Sequence, residues 1–184
     1  MLFNSFEFII FFLIFFFSYW FIFDKKIKLQ NLLILSSSYF FYAWWDWRFL
    51  ILIILSSFTD YFIGIKIENL KNKVYKKRAL ILSLFVNLGI LLVFKYYNFF
   101  IDNFIIVLEK MNLETNLDLV NIILPIGISF YTFQTLSYTI DVYNNKISAH
   151  KDIVSFFAFV AFFPQLVAGP IERAKNLLPQ FLIK

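Results

Sequence analysis

The sequence contains no cysteine, which removes disulfides, thiolate metal sites and cysteine nucleophiles and leaves no redox compartment to be read. It has a single histidine, His150, too few for a His-rich metal site. Its four glycines, Gly64, Gly89, Gly127 and Gly169, lie far apart, so neither a dinucleotide fingerprint nor a phosphate-cradling loop can be assembled. Internal repeats and flexible linkers are also missing. The formal net charge of +5 would suit nucleic acid, but the basic residues cluster between apolar runs, as topology signals do. No nucleic-acid partner is expected, because both footprint and fold for one are lacking.

Apolar residues are what the chain has in excess. They make up 61% of the 184 residues, against about 45–50% in a soluble domain even with glycine counted, and the mean hydropathy is +0.75. They come in long runs separated by short charged stretches, the layout of membrane-spanning helices. The predicted fold is an all-α, polytopic transmembrane bundle of about six apolar segments, with the lipid bilayer as its solvent. The 28 phenylalanines, together with abundant Ile, Lys and Asn, reflect a coding bias and carry no functional weight.

The predicted spans run from Phe6 to Phe23, Leu29 to Trp45, Phe49 to Ile65, Ala79 to Tyr97 and Val120 to Ile140, followed by a last run from Ile153 to Ile171. The first span reads as an uncleaved anchor, since no Lys or Arg precedes it and Asp24-Lys25-Lys26 follows. Trp44, Trp45 and Trp47 mark a membrane interface. Apolar character continues from Tyr97 to Leu108, too far for one straight span, which predicts a turn or interfacial helix near Asn98 to Asn103. The loop from Glu109 to Asp118 is acidic, as an external loop can be. One set of alternate loops carries Lys25, Lys26, Lys28, Lys66, Lys71, Lys73, Lys76, Lys77, Arg78, Lys146 and Lys151; the other carries Arg48, Lys95 and Lys110. Eleven against three places the N-terminus outside.

Polar side chains at membrane depth cost about 2.5–3.5 kcal/mol when charged at mid-helix, so they should face the bundle interior or a wet cavity. Ser56, Asp60 and Gly64 recur every four residues on one face of the third span. Asp60 needs a partner; Lys95 is one candidate, or it snorkels to the headgroups. Asp60 is read either as a structural pair or as a transport or catalytic group. In the fifth span Gly127, Tyr131, Gln134, Tyr138 and Asp141 line one face, with Ser129, Thr132, Thr135, Ser137 and Thr139 around it, so this helix is expected at the centre of the bundle. Gln134 is either interhelical glue or cavity lining. The last run holds Pro164, Gly169 and Pro170. Broken backbone at that depth is tolerated where protein buries it or it lines a cavity, which makes this segment a cavity wall or re-entrant turn. Gln165 there reads equally as cavity lining and as backbone repair.

Two motifs in order, Leu124 to Tyr143 (LPIGISFYTFQTLSYTIDVY) and Phe162 to Ile171 (FFPQLVAGPI) with Arg173, resemble the membrane-bound O-acyltransferase family, in its bacterial branch that O-acetylates alginate and other surface polysaccharides. Weaker echoes are Phe41 to Trp44, Asp60 to Gly64, and Asn87 to Gly89 leading to Phe94-Lys95-Tyr96. The resemblance spans nearly the whole chain, as the N-terminal part of one such domain. It implies a helix bundle with a tunnel, in which an acyl group, acetyl first of all, passes from a cytoplasmic thioester donor to a polysaccharide hydroxyl. The donor would be an acyl-CoA or a carrier-protein thioester, and no bound cofactor or metal is implied. An accessory acetyltransferase protein and the C-terminal half of the fold are the implied partners, and the cytoplasmic (inner) membrane is the implied location. The family's catalytic histidine, a general base, belongs to that C-terminal half. His150, in the polar loop Asn144 to Asp152, matches no catalytic position, so no catalytic residue is assigned and the chain alone is expected to be inactive. Gln134, Pro164, Gln165, Gly169, Pro170 and Arg173 are expected to shape the donor side of the tunnel, with Tyr138 and Asp141 as further lining candidates. Arg173 either meets an anionic donor group or is a juxtamembrane charge. A membrane carrier or channel component, and an inactive scaffold from a truncated gene, are the rival readings.

Overall fold

The computed structural model describes residues 3–111, 122–170 and 172–183. The start of the predicted fifth span, most of the acidic loop before it, and Ile171 lie outside these residues. Every element among the described residues is helical.

Helix α1 (Phe6–Phe17) starts at Ser5, whose hydroxyl accepts from the Phe8 N–H at 3.2 Å, and runs on as a π-helical turn to Ile22. None of its residues is buried; it touches the bundle through Phe11 and Phe15, edge-on to Phe163 at 5.3 and 5.4 Å between ring centroids. Helix α2 (Ile27–Asn69) is broken at Asp46, which is extended at φ −159° and ψ 110°. Asp46 Oδ1 accepts from the Arg48 N–H at 2.9 Å, capping a second arm, so residues 27–45 and 47–69 form the second and third predicted spans. At ~1.5 Å per residue the arms are about 28 and 34 Å long, near the thickness of a bilayer core. Exposed Trp44, Trp45 and Trp47 ring the break.

Helix α3 (Lys73–Lys110) is continuous over 38 residues, so the turn predicted near Asn98 to Asn103 does not exist. The two asparagines satisfy their amides without interrupting the helix. Asn103 donates back one turn to Phe99 O at 2.7 Å, while Asn98 clamps the Ile122 backbone, donating to its carbonyl and accepting from its N–H. Only Ala79, Ser83, Asn87 and Leu91 of α3 are buried, a stripe with a four-residue repeat; Phe85, at 76% exposure, stands on the opposite side.

Helix α4 (Ile128–Tyr143) is shorter than the predicted fifth span, because Pro125 is followed by Gly127 in the left-handed conformation (φ 76°), which starts the helix there. It is central, as its polar stripe predicts: ten of its 16 residues are buried, seven of them polar or charged or carrying a phenol. Helices α5 (Ile153–Ala161), α6 (Phe163–Ala168) and α7 (Ala174–Leu177) follow, then a 3-10 turn (Leu178–Phe181). Asp152 caps α5 by accepting from the Val154 N–H at 3.0 Å, and α5 packs along α2, with Phe156, Ala158, Phe159 and Val160 fully enclosed. Apolar side chains cover the outside of the bundle, with Phe6, Ile14, Phe21 and Phe85 each above 60% exposed. Helices α2 and α3 are long and apolar enough to cross a membrane. An outside so apolar belongs in lipid, and the chain is an all-α membrane helical bundle.

Candidate functional site: the polar face of the central helix

Three helices meet around Asp60, which is fully enclosed. Ser83 of α3 donates to its Oδ1, Thr139 of α4 donates to the same oxygen at 2.9 Å, and Asn87 of α3 donates to Oδ2 at 2.9 Å. Ser56, one turn before Asp60, donates to Asn87 Oδ1 and lies 3.2 Å from Thr135 Oγ1. The carboxyl group therefore has three donors, and no Lys or Arg pairs with it among the described residues. Lys95 is exposed, with its ammonium 5.5 Å from the centroid of the Tyr96 ring, so the suggested Asp60–Lys95 pair is not formed. Sequence reasoning missed Ser83, and placed Asn87 only in a weak family echo and not beside Asp60. The signal that finds them is the small or polar residue at every fourth place of an otherwise bulky run.

The second polar constellation surrounds the break between α5 and α6. In an unbroken helix Phe163 N would donate to Phe159 O. Phe162 departs from helical geometry (φ −51°, ψ 103°) ahead of Pro164, and that bond is lost. Side chains replace both halves of it: Gln134 Nε2 donates to Phe159 O at 3.0 Å, and Phe163 N donates to Ser38 Oγ at 3.3 Å. At the far end of α6, Gln165 Nε2 donates to Pro170 O at 3.1 Å. Gly169 permits that closure, since a Cβ there would stand 2.8 Å from Gln165 Cα. Gln134 and Gln165 thus both repair broken backbone. Each keeps its carbonyl oxygen buried and without a partner among the described residues, as are the hydroxyls of Tyr39, Tyr131 and Thr132. Tyr42 OH ties this region to the start of α4 by donating to Ile126 O at 2.6 Å, and Leu166 lies against Gly127. A buried polar group left unpaired costs about 1–3 kcal/mol, so oxygens that stay open in a formed bundle are candidates to meet a ligand.

The remaining predicted residues lie elsewhere. Tyr138, fully buried, crosses to Gly64, and its hydroxyl accepts from the His150 N–H at 2.9 Å. Asp141, near the end of α4, faces Lys146 at 3.7 Å. Pro170 and Arg173 are exposed beyond α6, and Pro164 sits on its first turn. His150 is buried; its Nε2 lies 2.6 Å from Ser155 Oγ, and burial, opposed by nearby Asp152, pushes its pKa below the ordinary value. His150 therefore serves the α4–α5 joint and is not poised in the polar interior. Among the described residues no group of acidic or histidine side chains could hold a metal ion.

No family model and no solved structure matches the chain significantly. Curated proteins do. The chain is 41% identical over 183 residues to "Probable alginate O-acetylase AlgI" of Pseudomonas syringae, covering 98% of this chain and 35% of that protein. It is 39% identical over 182 residues to the protein of the same name from Azotobacter vinelandii (98% and 36%). With "Peptidoglycan O-acetyltransferase" of Helicobacter pylori it shares 35% identity over 208 residues (98% and 38%). The chain spans a little over a third of the length of these relatives. By this match the chain is similar along almost its whole length to the N-terminal portion of O-acetyltransferases of the membrane-bound O-acyltransferase type.

Proposed function

We propose that the chain is the N-terminal helical portion of an integral membrane enzyme that transfers an acetyl group from a thioester donor to hydroxyls of a cell-surface polysaccharide. The observation that carries this is the similarity along 98% of the chain to proteins named for two different glycans, alginate and peptidoglycan. Acetyl transfer is common to both names and the acceptor is not, so the reaction class is the stronger part of the proposal and alginate or a related glycan the finer part. An acyl-CoA or an acyl carrier protein supplies the thioester, and an accessory acetyltransferase protein assists delivery to the glycan. The carrier or channel reading has no specific observation in its favour: Asp60 is enclosed by donors, and Gln134 is engaged at a helix break.

In this proposal the present residues supply the wall of the acyl path and the C-terminal portion of the fold supplies the general base. Gln134 holds the α5–α6 break and Gln165 closes the far end of α6, and their open carbonyl oxygens line the path, with Pro164, Gly169 and Pro170 shaping it. Tyr138 and Asp141 support the wall from the inner end of α4, and Arg173 offers a guanidinium at the donor side. The eleven-to-three distribution of Lys and Arg supports a cytoplasmic membrane location with the N-terminus outside. The test is complementation of an acetylase-deficient strain, with this chain and its C-terminal counterpart in one reading frame, read as O-acetyl content of the surface glycan. Acetylation should return. A membrane-inserted, helical product that restores none would overturn the assignment, and restoration by residues 1–184 alone would refute the placement of the base.

A further inference from the structure

A pocket of about 310 Å³ opens at the lysine-rich end of the bundle, between the last turn of the first span, the beginning of α2 and the closing 3-10 turn. Its wall combines an aromatic pair, Tyr19 and Trp20, with the carboxylate of Asp24 and the amides of Gln30 and Gln180, while Phe181 and other apolar groups form the floor. Among the described residues Asp24 is the one acidic or basic side chain in this lining. The rings of Tyr19 and Trp20 meet edge to face, 5.3 Å between centroids, as a wall for a cation. The architecture is fixed rather than incidental: Gln30 Nε2 donates to Tyr19 O at 3.3 Å, and Asn31 Nδ2 donates to Phe181 O at 2.7 Å, which ties all three segments together. Lys25 and Lys26 follow Asp24 directly, and both are exposed.

We propose that this pocket binds the headgroup of a phospholipid bearing a primary ammonium, of the phosphatidylethanolamine type. The ammonium sits against the wall made by the Tyr19 and Trp20 rings and donates to Asp24, the phosphodiester lies toward Lys25 and Lys26, and the acyl chains leave along the apolar floor into the bilayer. The volume, at the lower end of the roughly 300–1,000 Å³ of small-molecule pockets, takes a headgroup and glycerol but not the chains. Charge separates this occupant from its competitors. An anionic glycerol headgroup would put its only charge beside the lysines and leave Asp24 without a cation. A choline headgroup fits the aromatic wall but has no N–H to donate to the carboxylate.

The experiment uses the 184-residue chain with Trp44→Phe, Trp45→Phe and Trp47→Phe, so that Trp20 is the only indole, in phosphatidylcholine nanodiscs doped with dibrominated phosphatidylethanolamine, phosphatidylglycerol or phosphatidylcholine. Trp20 quenching should be strongest with the ethanolamine lipid. Asp24→Asn should weaken that preference about tenfold, the scale of a hydrogen bond to a charged group, while Asp24→Glu keeps it and both variants keep their helical circular dichroism. Equal quenching by the three lipids, strongest quenching by the glycerol lipid, or an unchanged preference in Asp24→Asn would overturn the proposal. A variant that loses quenching by all three lipids together would show Asp24 to be structural and would overturn it too. None of these readouts depends on acetyl transfer, so the proposal stands or falls apart from the enzymatic one.

Discussion

Gly64→Ala tests the packing of the central helix in one methyl group. A Cβ at position 64 would stand 2.7 Å from Tyr138 Cε1, 2.8 Å from its hydroxyl and 3.0 Å from Cζ, where ordinary contacts need about 3.5–4.0 Å. The ring would have to retreat by close to an ångström. It has nowhere to go: Tyr138 is fully enclosed, its ring stands 4.7 Å from that of Phe156 between centroids, and its hydroxyl is held by the His150 N–H. Crowding of this kind costs about 1–3 kcal/mol, and losing the His150 bond adds about 0.5–1.5, partly offset by up to about 1 from alanine's helix preference. The net expectation is a loss of about 1–3 kcal/mol, read as an earlier unfolding midpoint in mixed micelles of rising sodium dodecyl sulfate content. Gly89 is the control, since a Cβ there meets nothing within 4 Å, and Gly89→Ala should be neutral or slightly stabilising. Shortening the ring in Gly64→Ala/Tyr138→Leu should recover at least about 1 kcal/mol relative to additivity. Wild-type stability in Gly64→Ala, or strict additivity in the pair, would refute the close crossing of α2 and α4.

Other expectations follow from the same contacts. Gly127→Ala puts a Cβ on a left-handed residue (φ 76°), 3.2 Å from Leu166, and should destabilise by about 1–3 kcal/mol in the same titration. Asp60→Asn turns an amide donor toward the Asn87 amide or toward the Ser83 and Thr139 hydroxyls, and should cost about 1–3 kcal/mol, a loss visible as faster hydrogen exchange in α3. Gln134→Leu strips Phe159 O of its donor and should cost a similar amount, about 1–3 kcal/mol; in the complete enzyme O-acetylation should fall further than in a stability-matched surface-facing variant. Burial lowers the His150 pKa, so the unfolded chain binds this proton more readily: stability should fall as pH drops below about 6.5 toward the folded pKa, and that part of the pH profile should flatten in His150→Gln.

Hydropathy and spacing made the spans, the central position of α4 and the broken last segment legible before any coordinate. They work because each is set by one helix and its solvent. A run of some 20 apolar residues needs lipid, and a helix with Gln134, Thr135, Tyr138 and Thr139 on neighbouring faces needs protein around it. What was not legible depends on register between helices. In the sequence Asp60 needs a partner, and Lys95 is one candidate for it. Its actual donors, Ser83, Asn87 and Thr139, are neutral groups brought in by two other helices, a choice fixed by how deep α3 and α4 sit beside α2. The length of α3 misled for a different reason. Bilayer thickness predicts where a straight span should stop, but a helix can tilt or project, and nothing between Asn98 and Asn103 breaks it.

The α5–α6 break argues that position, not flexibility, is what this segment provides. Within a membrane each unpaired backbone group costs several kcal/mol, so a break survives only where side chains replace the missing bond. Here the replacements come from two separate elements: Ser38 of α2 takes Phe163 N, and Gln134 of α4 serves Phe159 O. A flexible hinge would need groups that let go together, whereas these are anchored in helices that also hold one another through Asp60. The break is therefore held from two sides, and the carbonyl oxygen of Gln134 stays buried beside it without a partner among the described residues. The proposed acyl transfer, which holds an acyl carbonyl at a set depth in the membrane, is served by a segment held in this way. A translocation path that must open and close would be obstructed by it.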